Sequence, residues 1–196
     1  MQVIGLTGGV GCGKSTVAAV LRDVFGAVLL ITDEIGHLAM KPGEKSYDAI
    51  VGTFGEDICR EDGTIDRNLL GAKVFGDEEA LEKLNGIIHP FVKEYIARVM
   101  EKEQENDGLL VIESALLLET GLDLLCGQVW YVQAAEEVRR RRLKDSRGYT
   151  DEKMDAIMKE QLPEEVFLAR SHVVLHNNGD VAAIREQIEL LLESVL

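Results

Sequence analysis

The chain has 196 residues, with 21 Lys and Arg against 35 Asp and Glu, a net charge of −14 and 46% hydrophobic residues. That length holds one sizeable domain with its own apolar core and leaves room for an inserted subdomain. The acidic balance argues against general affinity for nucleic acid, although not against capture of one small anion in a locally basic cleft, and no apolar run nears the ~18 residues of a membrane span.

The first residues, Met1–Gly5, carry no basic stretch ahead of their short apolar run, so no secretory signal is expected there. Gln2–Thr7 is an apolar run closed by a glycine cluster. Ser15–Phe25 has apolar residues at helical spacing up to Gly26, and Ala27–Thr32 is continuously apolar. Strand, glycine loop, helix and strand in this order make a βαβ unit and imply a parallel sheet. After Asp33 the strand signals stop. Helices are expected over Ser46–Phe54, Arg67–Phe75, Asp77–Ile88 and Pro90–Glu105, with Pro90 in a first turn, where a missing N–H costs nothing. Strands return at Leu109–Glu113, Gln128–Val132 and Val173–His176. Ala135–Arg170 reads as a charged helical stretch and Val181–Val195 as an amphipathic helix.

Three cysteines, Cys12, Cys59 and Cys126, are widely spaced and odd in number. Free thiols in a reducing, cytoplasmic setting are the simpler expectation than a disulfide framework or a cysteine–zinc site.

The stretch Gly8-Gly9-Val10-Gly11-Cys12-Gly13-Lys14-Ser15 matches GxxxxGK[ST] at every fixed position, between an apolar strand and a helix. Glycines let the backbone curl so that successive N–H groups point inward, and the helix N-terminus adds partial positive charge to that nest. Gly9, Gly11, Cys12 and Gly13 are therefore expected to line the phosphates of a purine nucleoside triphosphate. Lys14 is expected to reach the β and γ phosphates, Ser15 to ligate Mg²⁺, and Thr16 to add a contact to the α phosphate. Cys12, near a helix N-terminus, is expected to have a lowered thiol pKa, so that alkylating it blocks ATP binding.

A guanine-reading switch is disfavoured. Asp33-Glu34-Ile35-Gly36 matches DxxG, but no Asn-Lys-x-Asp occurs. A kinase needs an acceptor-side group and arginines that cover the transferring phosphoryl. Asp33, just past the second strand, is the candidate proton acceptor, with a helix N-cap as the structural alternative. Glu113 ends LLVIE as a carboxylate that holds a magnesium-bound water, or it only ends the strand. The run Arg139-Arg140-Arg141-Arg142-Leu143-Lys144-Asp145-Ser146-Arg147 concentrates basic residues on an acidic protein and reads as a lid closing on phosphates. The alternative for any single arginine is a solvated helix face.

These residues resemble the dephospho-coenzyme A kinase family along essentially the whole chain. The resemblance runs through the Leu6–Thr16 opening, Lys41-Pro42-Gly43, Phe54–Ile58, Asp62–Arg67, Ile88-His89-Pro90, Leu116–Glu119 and Asn177-Asn178-Gly179. It implies a P-loop kinase of the α/β class, with a parallel five-stranded sheet core over about 1–43, 107–133 and 171–196. A helical coenzyme-binding subdomain over about 44–106 and a helical lid over about 134–170 complete the single domain. It also implies transfer of the ATP γ-phosphoryl to the ribose 3′-hydroxyl of dephospho-CoA, with Mg²⁺ and with no nucleic acid or membrane partner; oligomeric state stays open. Asp33 inherits the role of catalytic base, and Arg142 that of a lid arginine beside Lys14. His37, four residues beyond Asp33 on the same helical face, and His89 are implied acceptor contacts, and Asn178 lies in the loop near the adenine. Ile31 stands where the family usually has an Asp, Ala115 replaces a proline, Ser171-His172 replaces Ala-Asp, and Arg147 is displaced by one residue from the family lid spacing. His172 and His176 flank strand residues without a third ligand, so no metal is expected there. The alternatives are another small-molecule P-loop kinase and an ATP-binding regulatory module.

Overall fold

The computed structural model describes residues 1–193; the end of the expected last helix, at Val195, lies outside the described residues. The strands are β1 (Gln2–Thr7), β2 (Val28–Ile31), β3 (Leu109–Glu113), β4 (Gln128–Gln133) and β5 (Val173–His176). The helices are α1 (Lys14–Phe25), α2 (Thr32–Leu38), α3 (Lys45–Phe54), α4 (Arg67–Val74), α5 (Glu78–Glu103), α6 (Glu136–Arg147), α7 (Asp151–Lys159), α8 (Glu164–Arg170) and α9 (Val181–Glu193). The strands form the expected five-stranded parallel sheet, in the order β2-β3-β1-β4-β5. β1 is central: Leu6 stands opposite Glu113 on one side and Trp130 on the other. By chain contacts the molecule divides into two compact units, Met1–Leu30 with Gln104–Leu196, and Ile31–Glu103.

In the first unit the continuous apolar strands are covered by helices, as their composition requires. Ile4, Leu6, Val111, Trp130, Val132 and Leu175 from the sheet pack with Val17, Leu21, Ile184 and Ile188 from α1 and α9. Gly26 stops α1 in the left-handed region (φ 69°), where its N–H caps the Arg22 carbonyl. The charged stretch expected as one helical run is three helices. Gly148 (φ 62°) ends α6, the Thr150 hydroxyl accepts the Lys153 N–H to start α7, and Pro163 precedes α8.

The second unit has its own core of Ile50, Ile58, Ile65, Leu70 and Leu84. Asp66 caps α4 by accepting the Asn68 N–H at 2.8 Å. Here the reading of Pro90 is corrected: it lies inside α5, a single 26-residue helix, and does not open a new one. An interior proline removes one hydrogen bond and crowds the carbonyl four residues earlier, which here belongs to Gly86. Burial of Leu84 before the proline, and of Val92 and Ile96 after it, holds one continuous helix across the defect.

Candidate active site

The phosphate loop leaves β1 and enters α1 directly. Gly11 and Gly13 take positive φ (76° and 91°), and Gly13 serves as the N-cap of α1 without a side chain of its own. The loop's inner donors belong to α1's first turn, where the helix field favours an anion. Lys14 folds back on the loop, with its Nζ donating to the Gly8 carbonyl at 2.8 Å and the Gly9 carbonyl at 3.5 Å. The Ser15 side chain is exposed and the Thr16 side chain half-buried at the helix entry.

Cys12 departs from expectation. It is 1% exposed, and its Sγ fills the space beneath Gly8, where a Cβ would lie 2.8 Å from it. Burial pushes its thiol pKa up, against the opposing pull of Lys14. The expected lowered pKa is therefore overturned, and with it the idea of a reactive thiol in the loop.

The arginine run sorts itself by helical spacing. Arg139 and Arg142, three residues apart on α6, share the face turned to the loop. Arg139 Nε donates to the Val10 carbonyl at 2.8 Å, and Arg142 Nη1 donates to the carbonyls of Asn177 at 2.9 Å and Cys12 at 3.3 Å. Leu143, between these contacts, is buried against Gly11. Arg140 turns the other way, bonded to Glu136 within α6 and to Asp155, while Lys144 joins Asp151; the Asp155 and Asp151 pairs tie α6 to α7. Arg147 stacks on Tyr149, 5.9 Å from the ring centre.

Asn177 is buried and donates to the Cys12 carbonyl at 2.8 Å. Asn178 accepts the Ala135 N–H at 2.7 Å, which joins the loop after β5 to the entrance of α6. Glu113 ends β3 half-buried, and Ser114 donates to the Leu6 carbonyl at 3.0 Å, which keeps that carboxylate beside the end of β1. Thr7, the last residue of β1, is fully buried with its hydroxyl oxygen unpaired among the described residues. These groups all belong to the first unit.

Asp33, His37 and His89 belong to the second. The N-cap of α2 is Ile31, so Asp33 lies within the helix's first turn and is not its cap. Its carboxylate is exposed and has no hydrogen-bond partner among the described residues. His37 receives Arg67, whose Nη1 lies 2.7 Å from Nε2 and 3.3 Å from Nδ1. His89 is half-buried, and desolvation, with Lys93 adding to it, holds its pKa below the ordinary histidine value.

His172 and His176 have structural partners. His172 Nδ1 accepts the Val129 N–H at 3.0 Å, and His176 Nδ1 meets Gln133 Oε1 at 3.1 Å. Among the described residues no group of three or more His, Cys, Asp or Glu is arranged to hold a metal ion.

Four residues of the arrangement were not singled out from the sequence: Arg139 by itself, Gln161, Asn177 and Arg67. Arg67 closes the string Asp62–Arg67, so its signal was present. Gln161 carried none, because its contact to Val10 spans 151 residues.

A family model described as Dephospho-CoA kinase matches residues 2–183. A protein of Carboxydothermus hydrogenoformans named Dephospho-CoA kinase is 36% identical over 98% of this chain and 94% of its own. One of the same name from Geobacillus kaustophilus is 37% identical over 97% of this chain and 94% of its own. The crystal structure of TT1252 from Thermus thermophilus superposes with a TM-score of 0.81 at 30% identity, covering 100% of this chain and 98% of that one. With a phosphate loop backed by basic residues from α6, and with kinship of this extent, the chain belongs to the dephospho-CoA kinase family.

Proposed function

We propose that the chain transfers the γ-phosphoryl group of ATP to the ribose 3′-hydroxyl of dephospho-CoA, releasing ADP and coenzyme A. The observation that carries this reading is the phosphate loop, glycine-lined and covered by Arg139 and Arg142, in a chain matched to that family over residues 2–183.

In the transfer the acceptor oxygen bonds to the γ phosphorus while the bond from that phosphorus to the β–γ bridging oxygen breaks. ADP leaves with the electron pair, and the hydroxyl proton passes to Asp33. In a loose transition state this proton leaves late, so an ordinary exposed carboxylate suffices. Lys14 exchanges its loop carbonyls for the β and γ phosphate oxygens. His37 and Arg67 contribute the acceptor side: donors that Arg67 does not spend on His37 suit the acceptor's diphosphate. His89 adds a second acceptor contact, and Asn178 borders the adenine.

The oxygen donors at hand fit Mg²⁺. The exposed Ser15 hydroxyl would bind it directly and the Glu113 carboxylate through water, with phosphate oxygens completing the shell, since no all-protein cage is present among the described residues. Bound there, the ion neutralises charge on the β and γ phosphate oxygens. Three free cysteines suit a reducing compartment, and the cytoplasm is proposed on that ground.

ADP release with MgATP and a panel of acceptors (dephospho-CoA, AMP, shikimate, gluconate, none) tests the reading. Fast turnover is expected with dephospho-CoA alone, with product phosphorylated at the 3′ position. Slow release indifferent to every acceptor would overturn it in favour of a regulatory ATP-binding module.

A further inference from the structure

The third residue of the phosphate loop is gripped at both ends of its backbone. The Val10 N–H donates to Gln161 Oε1 at 3.1 Å, and the Val10 carbonyl accepts Arg139 Nε at 2.8 Å. The ring closes because Arg139 Nη2 donates to the same Gln161 Oε1 at 3.1 Å. One amide oxygen thus uses both its lone pairs, one on the loop and one on the arginine. The guanidinium lies directly over Gly9: a Cβ at that position would stand 2.5 Å from Nη2 and 3.0 Å from Gln161 Oε1.

The partner's chemistry is the informative feature. The chain has 35 acidic residues, and the next arginine, Arg140, is paired with Glu136 and Asp155. Arg139 has no carboxylate partner among the described residues; its holder is a neutral amide. A carboxylate in Gln161's place would accept the same two bonds and would also cancel the cation. An amide fixes the guanidinium while leaving its full charge, and its remaining N–H groups, for an anion on the loop.

We propose that Gln161 is a positioning residue that holds Arg139 across the phosphate loop as an uncompensated cation directed at the terminal phosphates of ATP. The role in phosphoryl transfer rests on the function proposed above; the role in nucleotide binding does not.

Two variants separate this from a purely structural role. Gln161→Glu keeps the length and both acceptor bonds but adds a negative charge; Gln161→Met keeps the length and removes the acceptor. Calorimetric titration with MgATP needs no acceptor substrate, so it reads the inference even if dephospho-CoA proves not to be phosphorylated. The expected result is an unchanged or raised Tm for Gln161→Glu together with MgATP binding weakened by at least ~10-fold, the scale of one lost charge-assisted hydrogen bond. Gln161→Met should weaken MgATP binding as well, and Arg139→Met should add little to it in the double variant, because the two residues act as one unit. In turnover, kcat should fall in Gln161→Glu while KM for the acceptor stays within about twofold. Wild-type MgATP affinity in Gln161→Glu would overturn the proposal, as would additive losses in the double variant.

Discussion

Arg139, Arg140 and Arg142 are chemically identical and do two different things, because α6 presents them in different directions. Arg139 and Arg142 meet loop carbonyls, whereas Arg140 meets Glu136 and Asp155. Arg142 is bound to protein oxygens around Cys12 and Asn177, so its replacement by alanine should disturb the loop's shape as well as its charge. Lys14 and Asp33 are the sharpest residue-level tests. Lys14→Ala and Asp33→Asn should each lower kcat by at least ~10²-fold in steady-state assays, the scale on which phosphate clamps and proton acceptors act. A fully active Asp33→Asn enzyme would remove Asp33 from the chemistry. Cys12 gives the opposite prediction. Buried beneath Gly8 with its pKa raised, it should resist brief iodoacetamide treatment while the half-buried Cys59 is modified, as peptide mass spectrometry would show, and activity should persist. The positions of Lys14 and Ser15 at the start of α1, and of Asp33 just past β2, were legible in the sequence because they depend on short spacing around one βαβ unit. The reactivity of Cys12 was not, because helix position lowers a thiol pKa and burial raises it, and only packing says which wins.

At the level of elements, strands and punctuation were the most legible. Gly26 and Gly148 end helices in the left-handed conformation that their lack of Cβ permits. Pro90 misled because local rules place proline at a helix start, while Leu84 before it and Val92 and Ile96 after it are buried residues of one helix. The defect remains testable. Pro90 is exposed, so Pro90→Ala removes no buried contact and restores the hydrogen bond to Gly86. It should stabilise the protein by up to about 3 kcal/mol, the cost of an interior proline, measured as a higher urea midpoint. An unchanged midpoint would mean that the helix has already adapted fully to the proline.

For the whole molecule, acid should act in two stages. His89 is held below its ordinary pKa by burial and Lys93, so the unfolded chain takes up a proton at a pH where the folded chain does not. Stability should therefore decline as pH falls from about 6.5 toward the lower folded value. His89→Asn should flatten urea midpoints across that window; an unaltered pH profile would show that His89 does not govern it. Asp57, beside Lys73, Asp62, beside Thr64, and Asp66, beside the Asn68 N–H, are all held below the usual carboxylate range. Their contribution is present above the ordinary carboxylate pKa and is lost only as pH falls through their depressed folded values. By itself the sequence determined the α/β class, the phosphate loop and the family, since each rests on hydrophobic period, on residue types at fixed short spacing, or on strings kept in order. Only the tertiary structure decided which arginine covers the loop, that Gln161 holds it, that Cys12 is sealed away, and that Pro90 lies within one helix. Those outcomes are contacts and burials between residues far apart in the chain, and local pattern has no means of ranking one distant partner above another.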